Sequence, residues 1–193
     1  MAVHPQFLRS VGTARTGIFS NLAFFQAGWT ACVLGAVAGH PWSGIFLALL
    51  ITVAHIVQAA RPGGELRLVV AATLLGALWN SALQDAGLVV FAGDGYAEWL
   101  APTWTLALAM LSATTLNSAL RRLRHQPWLG ALLGATAMPL AYLAGGGLGA
   151  ITLPYPEIAI GILGLGGMAL LPLLLRLARL CDGTPLAIPA KLG

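Results

Sequence analysis

The sequence predicts an all-α, polytopic integral membrane protein: one membrane domain spanning 1–193, built as a bundle of six transmembrane helices with both termini in the cytoplasm. Three observations carry that prediction. Hydrophobic residues make up 58% of the chain and charged residues only 8%, with a mean hydropathy of +0.84, more apolar surface than one soluble core of this length can hide. The few charges collect between long uncharged runs instead of sprinkling along solvent faces. The Lys and Arg residues also fall on alternate connections, the pattern that sets orientation in a membrane. A formal net charge of +4 and a pI near 9.7 therefore have a topological explanation, and no nucleic-acid partner is implied.

Taken in order, six segments approach the ~20 residues that a ~30 Å hydrocarbon layer requires. They run over 18–38, 42–60, 65–88, 102–121, 128–147 and 157–180. Arg9 and Arg15 before the first run, with Ala36-Val37-Ala38 after it, imitate a signal peptide. The run exceeds an h-region of about 7 to 15 residues and contains Asn21, Gln26 and Trp29, so it reads as a retained first helix. The loops GHPWSG, RPGG, RHQP and TLPYPE supply turn punctuation. The longer link from Val89 to Ala101 carries Phe91, Asp94, Tyr96, Glu98 and Trp99 and reads as a short interfacial helix. The tail after Cys181 reads as irregular.

All ten basic residues lie in the N-terminus, the second and fourth loops, or the C-terminal end, while Asp85, Asp94, Glu98 and Glu157 lie on or beside the other three loops. Positive-inside then places both termini in the cytoplasm. Helices in lipid associate through small residues. Gly35 and Gly39, Gly130 and Gly134, and the run Gly161, Gly164, Gly166, Gly167 are the predicted close approaches. Pro139 and Pro172 fall inside helices five and six as points of bending.

Polar side chains at bilayer depth are costly and should face the bundle interior. An inner group, the first candidate ligand site, comprises Asn21, Gln26 and Trp29 of helix one, His55 and Gln58 of helix two, Glu65 of helix three, and Thr114, Asn117 and Ser118 of helix four. Thr114, Asn117, Ser118 and Arg121 recur at i, i+3, i+4 and i+7, one helical stripe running into an arginine cluster. His55 and Gln58 share a face at i, i+3. Glu65 pairs either with His55 or, as the more ordinary arrangement, with Arg61 or Arg67 at the interface. An outer group comprises Asn80, Gln84 and Tyr142, with Trp79 and Trp104 near. Trp29 and Trp79 are the tryptophans deep enough to line a pocket, and the others read as an interfacial belt.

No metal or cofactor is expected. The chain has no phosphate loop ending in Lys, no HExxH, no GxSxG and no paired intramembrane carboxylates. Cys32 and Cys181 are too differently placed to read as a disulfide or metal pair.

Asn21, Gln26 and Trp29, the HPW of His40 to Trp42, His55, Glu65, the PTW of Pro102 to Trp104, ATTLNSAL at 113–120 and GATAMPLAYLAGGGLGA at 134–150 together resemble a bacterial inner-membrane family of unknown function. The resemblance spans about 21–153. It implies localisation in the inner (cytoplasmic) membrane. Members often lie beside genes for cyclopropane-fatty-acid-type methyltransferases and flavin oxidoreductases, which implies a link to membrane-lipid modification. The chain departs from the pattern at Asn80, where an acid is expected, and at Ser118, where a histidine is expected. The resulting expectation is an accessory protein binding a membrane lipid or amphipathic small molecule in a cytoplasm-facing cavity, with a membrane-protein partner in lipid modification. A small transporter or flippase, and an intramembrane enzyme using His55 and Glu65, remain the alternatives.

Overall fold

The computed structural model describes residues 5–93 and 97–182, with side chains from residue 17 onward. Within them the chain forms six α-helices: α1 Pro5–Val37, α2 Pro41–Gln58, α3 Pro62–Asp85, α4 Thr103–Leu116, α5 Pro127–Gly147 and α6 Pro156–Leu180. Two short strands, β1 Val90–Phe91 and β2 Ile151–Thr152, pair antiparallel. Helices α2, α3, α5 and α6 each begin on a proline. There its missing N–H costs nothing and its fixed φ favours the first turn. Gly39 (φ 72°) and Gly149 (φ 85°) follow α1 and α5 in the left-handed region, where a side chain would be strained.

Five helices, counting α1 from Gly17, are long and apolar enough to cross a membrane. Their outward faces carry Phe19, Phe46, Val57 and Leu78, each at least 70% exposed. That much contiguous apolar surface has no place in water and is the face a bilayer covers. The chain is a membrane protein with several spans.

Four expectations need correction. Helix α1 starts at Pro5, before the expected 18, while its apolar span Gly17–Val37 agrees with the expected 18–38. Helix α4 stops at Leu116 after 14 residues instead of reaching Arg121, giving only about 21 Å of helix. The chain then turns through 117–120 and forms a 3-10 helix over Arg121–His125. The cause is local and tertiary together. Ser112, Thr114 and Thr115 bond back to carbonyls within α4, an alternative that loosens helical continuation. Asn117, at the helix end, turns its carboxamide to a buried carboxylate.

The third correction is the outer link. Its described part forms β1 and turns, with no helix, because Val90–Phe91 finds β2 as a partner and Ala92 N–H donates to Ala150 O at 2.8 Å. Residues 94–96, including Asp94 and Tyr96, and the tail 183–193 lie outside the described residues.

The fourth concerns glycines. Gly134 and Gly167 do bring α5 and α6 into backbone contact, since a Cβ on either would sit 2.0 Å from the other's carbonyl oxygen. Gly161, by contrast, has nothing within 4 Å, and Gly39 serves a turn. Gly44, which the sequence did not single out, is where α2 presses on the backbone of Cys32.

Helices α1, α2 and α3 surround α4, and α5 and α6 form a tight hairpin beside them. The core divides into two apolar clusters. One, centred on Trp104, Leu111, Leu163 and Val89, reaches the β1–β2 end; the other, with Leu68, Ala72, Leu116 and Leu175, lies at the arginine-bearing end.

Candidate functional site

Two assemblies of polar side chains flank a cleft between the α1–α3–α4 face and the α5–α6 hairpin. The first occupies the arginine-bearing end. Glu65, in the first turn of α3, is wholly buried. Asn117 Nδ2 donates to its Oε1 at 2.8 Å, and Arg124 Nη1 donates to Asn117 Oδ1 at 2.6 Å. Arg124 Nη2 continues to Asp182 Oδ2 at 3.0 Å, while Arg121 Nη2 approaches the same oxygen at 3.6 Å. Arg124 also reaches the carbonyl of Ala178 at 3.4 Å. Asn117 is oriented by chemistry, because an amide facing a carboxylate must present N–H and facing a guanidinium must present oxygen. A buried carboxylate and a buried guanidinium are thereby coupled through one neutral amide, which lowers the cost of keeping either charge from water.

His55 Nε2 lies 3.5 Å from Glu65 Oε2, but neither atom has a hydrogen-bond partner. The expected interfacial pairing of Glu65 with Arg61 or Arg67 does not form. Both arginines are exposed, and Arg67 bonds back to Gly63 O at 3.1 Å. Asn21 joins the edge of this region, donating to Thr114 O at 3.3 Å. Ser118 bonds back to the same carbonyl. Gln26 and Gln58 are exposed, away from His55, Glu65 and Asn117. Missed by sequence reasoning were Arg124 and Asp182. Arg124 was legible only as one more topological charge, although its spacing of seven from Asn117 places both near one side of a helical turn.

The second assembly, Asn80 and Tyr142, lies at the other end of the cleft, a cavity of about 440 Å³. Its floor is the α4 face of Leu108, Ser112 and Thr115, and its walls include Trp29, Trp79 and Asn80 on one side and Met138, Ala141 and Leu171 on the other. No Asp, Glu, His, Lys or Arg is among the lining residues. Leu22, Ser112, Ala137 and Ala141 line it and are themselves exposed, so it opens sideways at mid-helix depth. One end is closed by Phe91, Trp104 and Tyr142. Phe91 meets Trp104 edge to face at 5.8 Å, and Trp104 Nε1 donates to Ala92 O at 2.9 Å. Trp104, expected at an interface, is 1% exposed.

Of the inner candidate residues, Trp29 alone lines this cavity. From the outer group Asn80 and Tyr142 do, joined by a hydrogen bond from the Tyr142 hydroxyl to Asn80 Oδ1. Gln84 instead clamps the outer link, donating to Glu98 O at 2.7 Å and Leu100 O at 3.1 Å. Among the described residues no group of three or more His, Cys, Asp or Glu could hold a metal ion. Cys32 and Cys181 are free thiols.

No curated protein and no solved structure matches the chain. A family model described as "Protein of unknown function (DUF2878)" matches residues 18–173. With most of its length matched, this membrane protein belongs to that family of unknown function.

Proposed function

We propose that the protein is an accessory component of a bacterial inner membrane that holds a lipid or other amphipathic small molecule in the cleft between α4 and the α5–α6 hairpin, serving a lipid-modifying partner. The observation that carries this reading is the cavity: about 440 Å³, without a charged lining residue, and open sideways between the apolar helices. Its size falls in the range of ligand sites, ~300 to 1,000 Å³, and a lateral mouth admits molecules already dissolved in the membrane. The arginine-bearing end faces the cytoplasm in this reading, by the positive-inside rule. An enzyme built on His55 and Glu65 is disfavoured because neither residue lines the cavity. Transport is disfavoured because Phe91, Trp104 and Tyr142 close one end.

The test is mass spectrometry of the protein purified in mild detergent. The wild type is expected to carry a co-purifying lipid. Ala141→Trp, at the mouth, should displace it, whereas Ala144→Trp, on the same helix but outside the lining, should not. A wild type free of lipid, or equal retention by both variants, would sink the proposal.

A further inference from the structure

The inference concerns the ligand's polar end, and it rests on the reading of the cleft as a lipid site. Most polar atoms around the cavity are already satisfied within the protein. Thr105, Ser112 and Thr115 bond back to carbonyls of their own segment, and Trp104 is held by Ala92 O. At the closed end the situation differs. Trp79 Nε1 is buried and makes no hydrogen bond of ordinary length; the Tyr142 side chain answers it only as a longer, weak contact. The far edge of the same indole presses on α6 at Gly166, where a Cβ would lie 2.1 Å from the ring, so the ring cannot swing away to find a partner. Asn80 spends its oxygen on Tyr142, which leaves the two N–H groups of its amide as donors.

A buried unpaired donor is costly and rare in native structures. The buried atom left without a full partner at this end is a donor, and no charged residue lines the cavity to answer an ionised head. An anionic or cationic group would enter uncompensated, at a large desolvation cost. We infer that the Trp79, Asn80 and Tyr142 end of the cleft binds the uncharged acceptor oxygen of a membrane-dissolved amphiphile, a carbonyl of the ester, ketone or aldehyde class, with its hydrocarbon chain lying along α4. The lining of α4 runs from Trp104 to Leu116, about 18 Å at 1.5 Å per residue. That matches roughly one leaflet of a ~30 Å hydrocarbon core. Trp79 N–H and the Asn80 amide serve as donors, and Tyr142 fixes the Asn80 rotamer.

The experiment equilibrates the detergent-purified full chain with deuterated methyl palmitate, deuterated hexadecane, or deuterated palmitate at about pH 9, where the carboxylate is ionised, and quantifies the bound probe after removing free micelles. Methyl palmitate is expected to bind best, by about 2- to 10-fold over hexadecane, the worth of one neutral hydrogen bond, and by more over palmitate. Trp79→Phe and Tyr142→Phe should each bring the ester toward the hexadecane level. Equal binding of ester and hexadecane, or ester binding unchanged in both variants, overturns the acceptor site while leaving a chain-binding cleft. Preference for palmitate also overturns it. Failure of all three probes to bind the wild type overturns this inference together with the lipid reading. Should Trp79→Phe fail to fold, the probe series on the wild type and Tyr142→Phe decide the matter.

Discussion

The two ends of the cleft solve the problem of polar groups in an apolar medium in opposite ways. At the arginine-bearing end formal charges alternate, from Glu65 through Asn117 to Arg124 and Asp182, and the chain they form joins α3, α4, the 3-10 helix and α6 without lining the cavity. At the other end Trp79, Asn80 and Tyr142 carry no charge, face the cavity, and leave donor capacity unused. Charge answered by charge joins helices at the first end, although His55 Nε2, Glu65 Oε2 and Arg124 Nε there remain without hydrogen-bond partners.

The comparison can be broken most forcefully at Arg124. Arg124→Ala takes the guanidinium from the Asn117–Glu65 pair and leaves Asp182 to Arg121 alone, and about 3–5 kcal/mol of stability should disappear, read by denaturant or thermal unfolding in detergent. A loss below ~1 kcal/mol would show that the charged end is solvated and not a latch. Asn117→Ala should cost roughly 1–3 kcal/mol, and a double-mutant cycle with Glu65→Gln should return a coupling of about 0.5–3 kcal/mol. Strict additivity would mean that the amide does not bridge.

At the uncharged end Tyr142→Phe should cost only about 0.5–1.5 kcal/mol while lowering ester binding. A stability loss as large as that of Arg124→Ala would make the two ends alike. The smallest effects are expected outside both regions: Gln26→Ala and Gln58→Ala, on exposed positions, should stay within about 0.5 kcal/mol. A larger penalty at either would reveal a contact with another chain.

Much of this architecture was legible from composition and punctuation. The loop prolines read as turn punctuation, whereas Pro41, Pro62, Pro127 and Pro156 open the helices themselves; Trp29 and Trp79, read as deep enough to line a pocket, are among the residues around the cavity. The proximity of His55 and Glu65 was one of the two pairings the short α2–α3 turn allowed, and the less ordinary one. The end of α4 was not legible. A stripe at i, i+3, i+4 and i+7 reads as an uninterrupted helix, and the demand of a buried Glu65 for the Asn117 amide comes from 52 residues away. Arg124 was hidden for a related reason: near a predicted membrane boundary an arginine reads as a topological signal, and burial beside Asp182 leaves no local mark. The place of the cleft was illegible, because the expected cavity was set among the inner polar residues, whereas the cleft forms where small and apolar residues of five helices fail to meet.

The hairpin of α5 and α6 is anchored to the rest of the bundle at both extremities. The β1–β2 ladder ties it at one end, and Arg124, grasping Ala178 O and Asp182, ties it at the other. A wall pinned at two ends cannot swing like a flap; it can only bow. Pro139 and Pro172 lie within these two helices, where each removes a backbone hydrogen bond and softens the rod near its middle. With α5 and α6 locked back to back at Gly134 and Gly167, a bend in one is shared by the other.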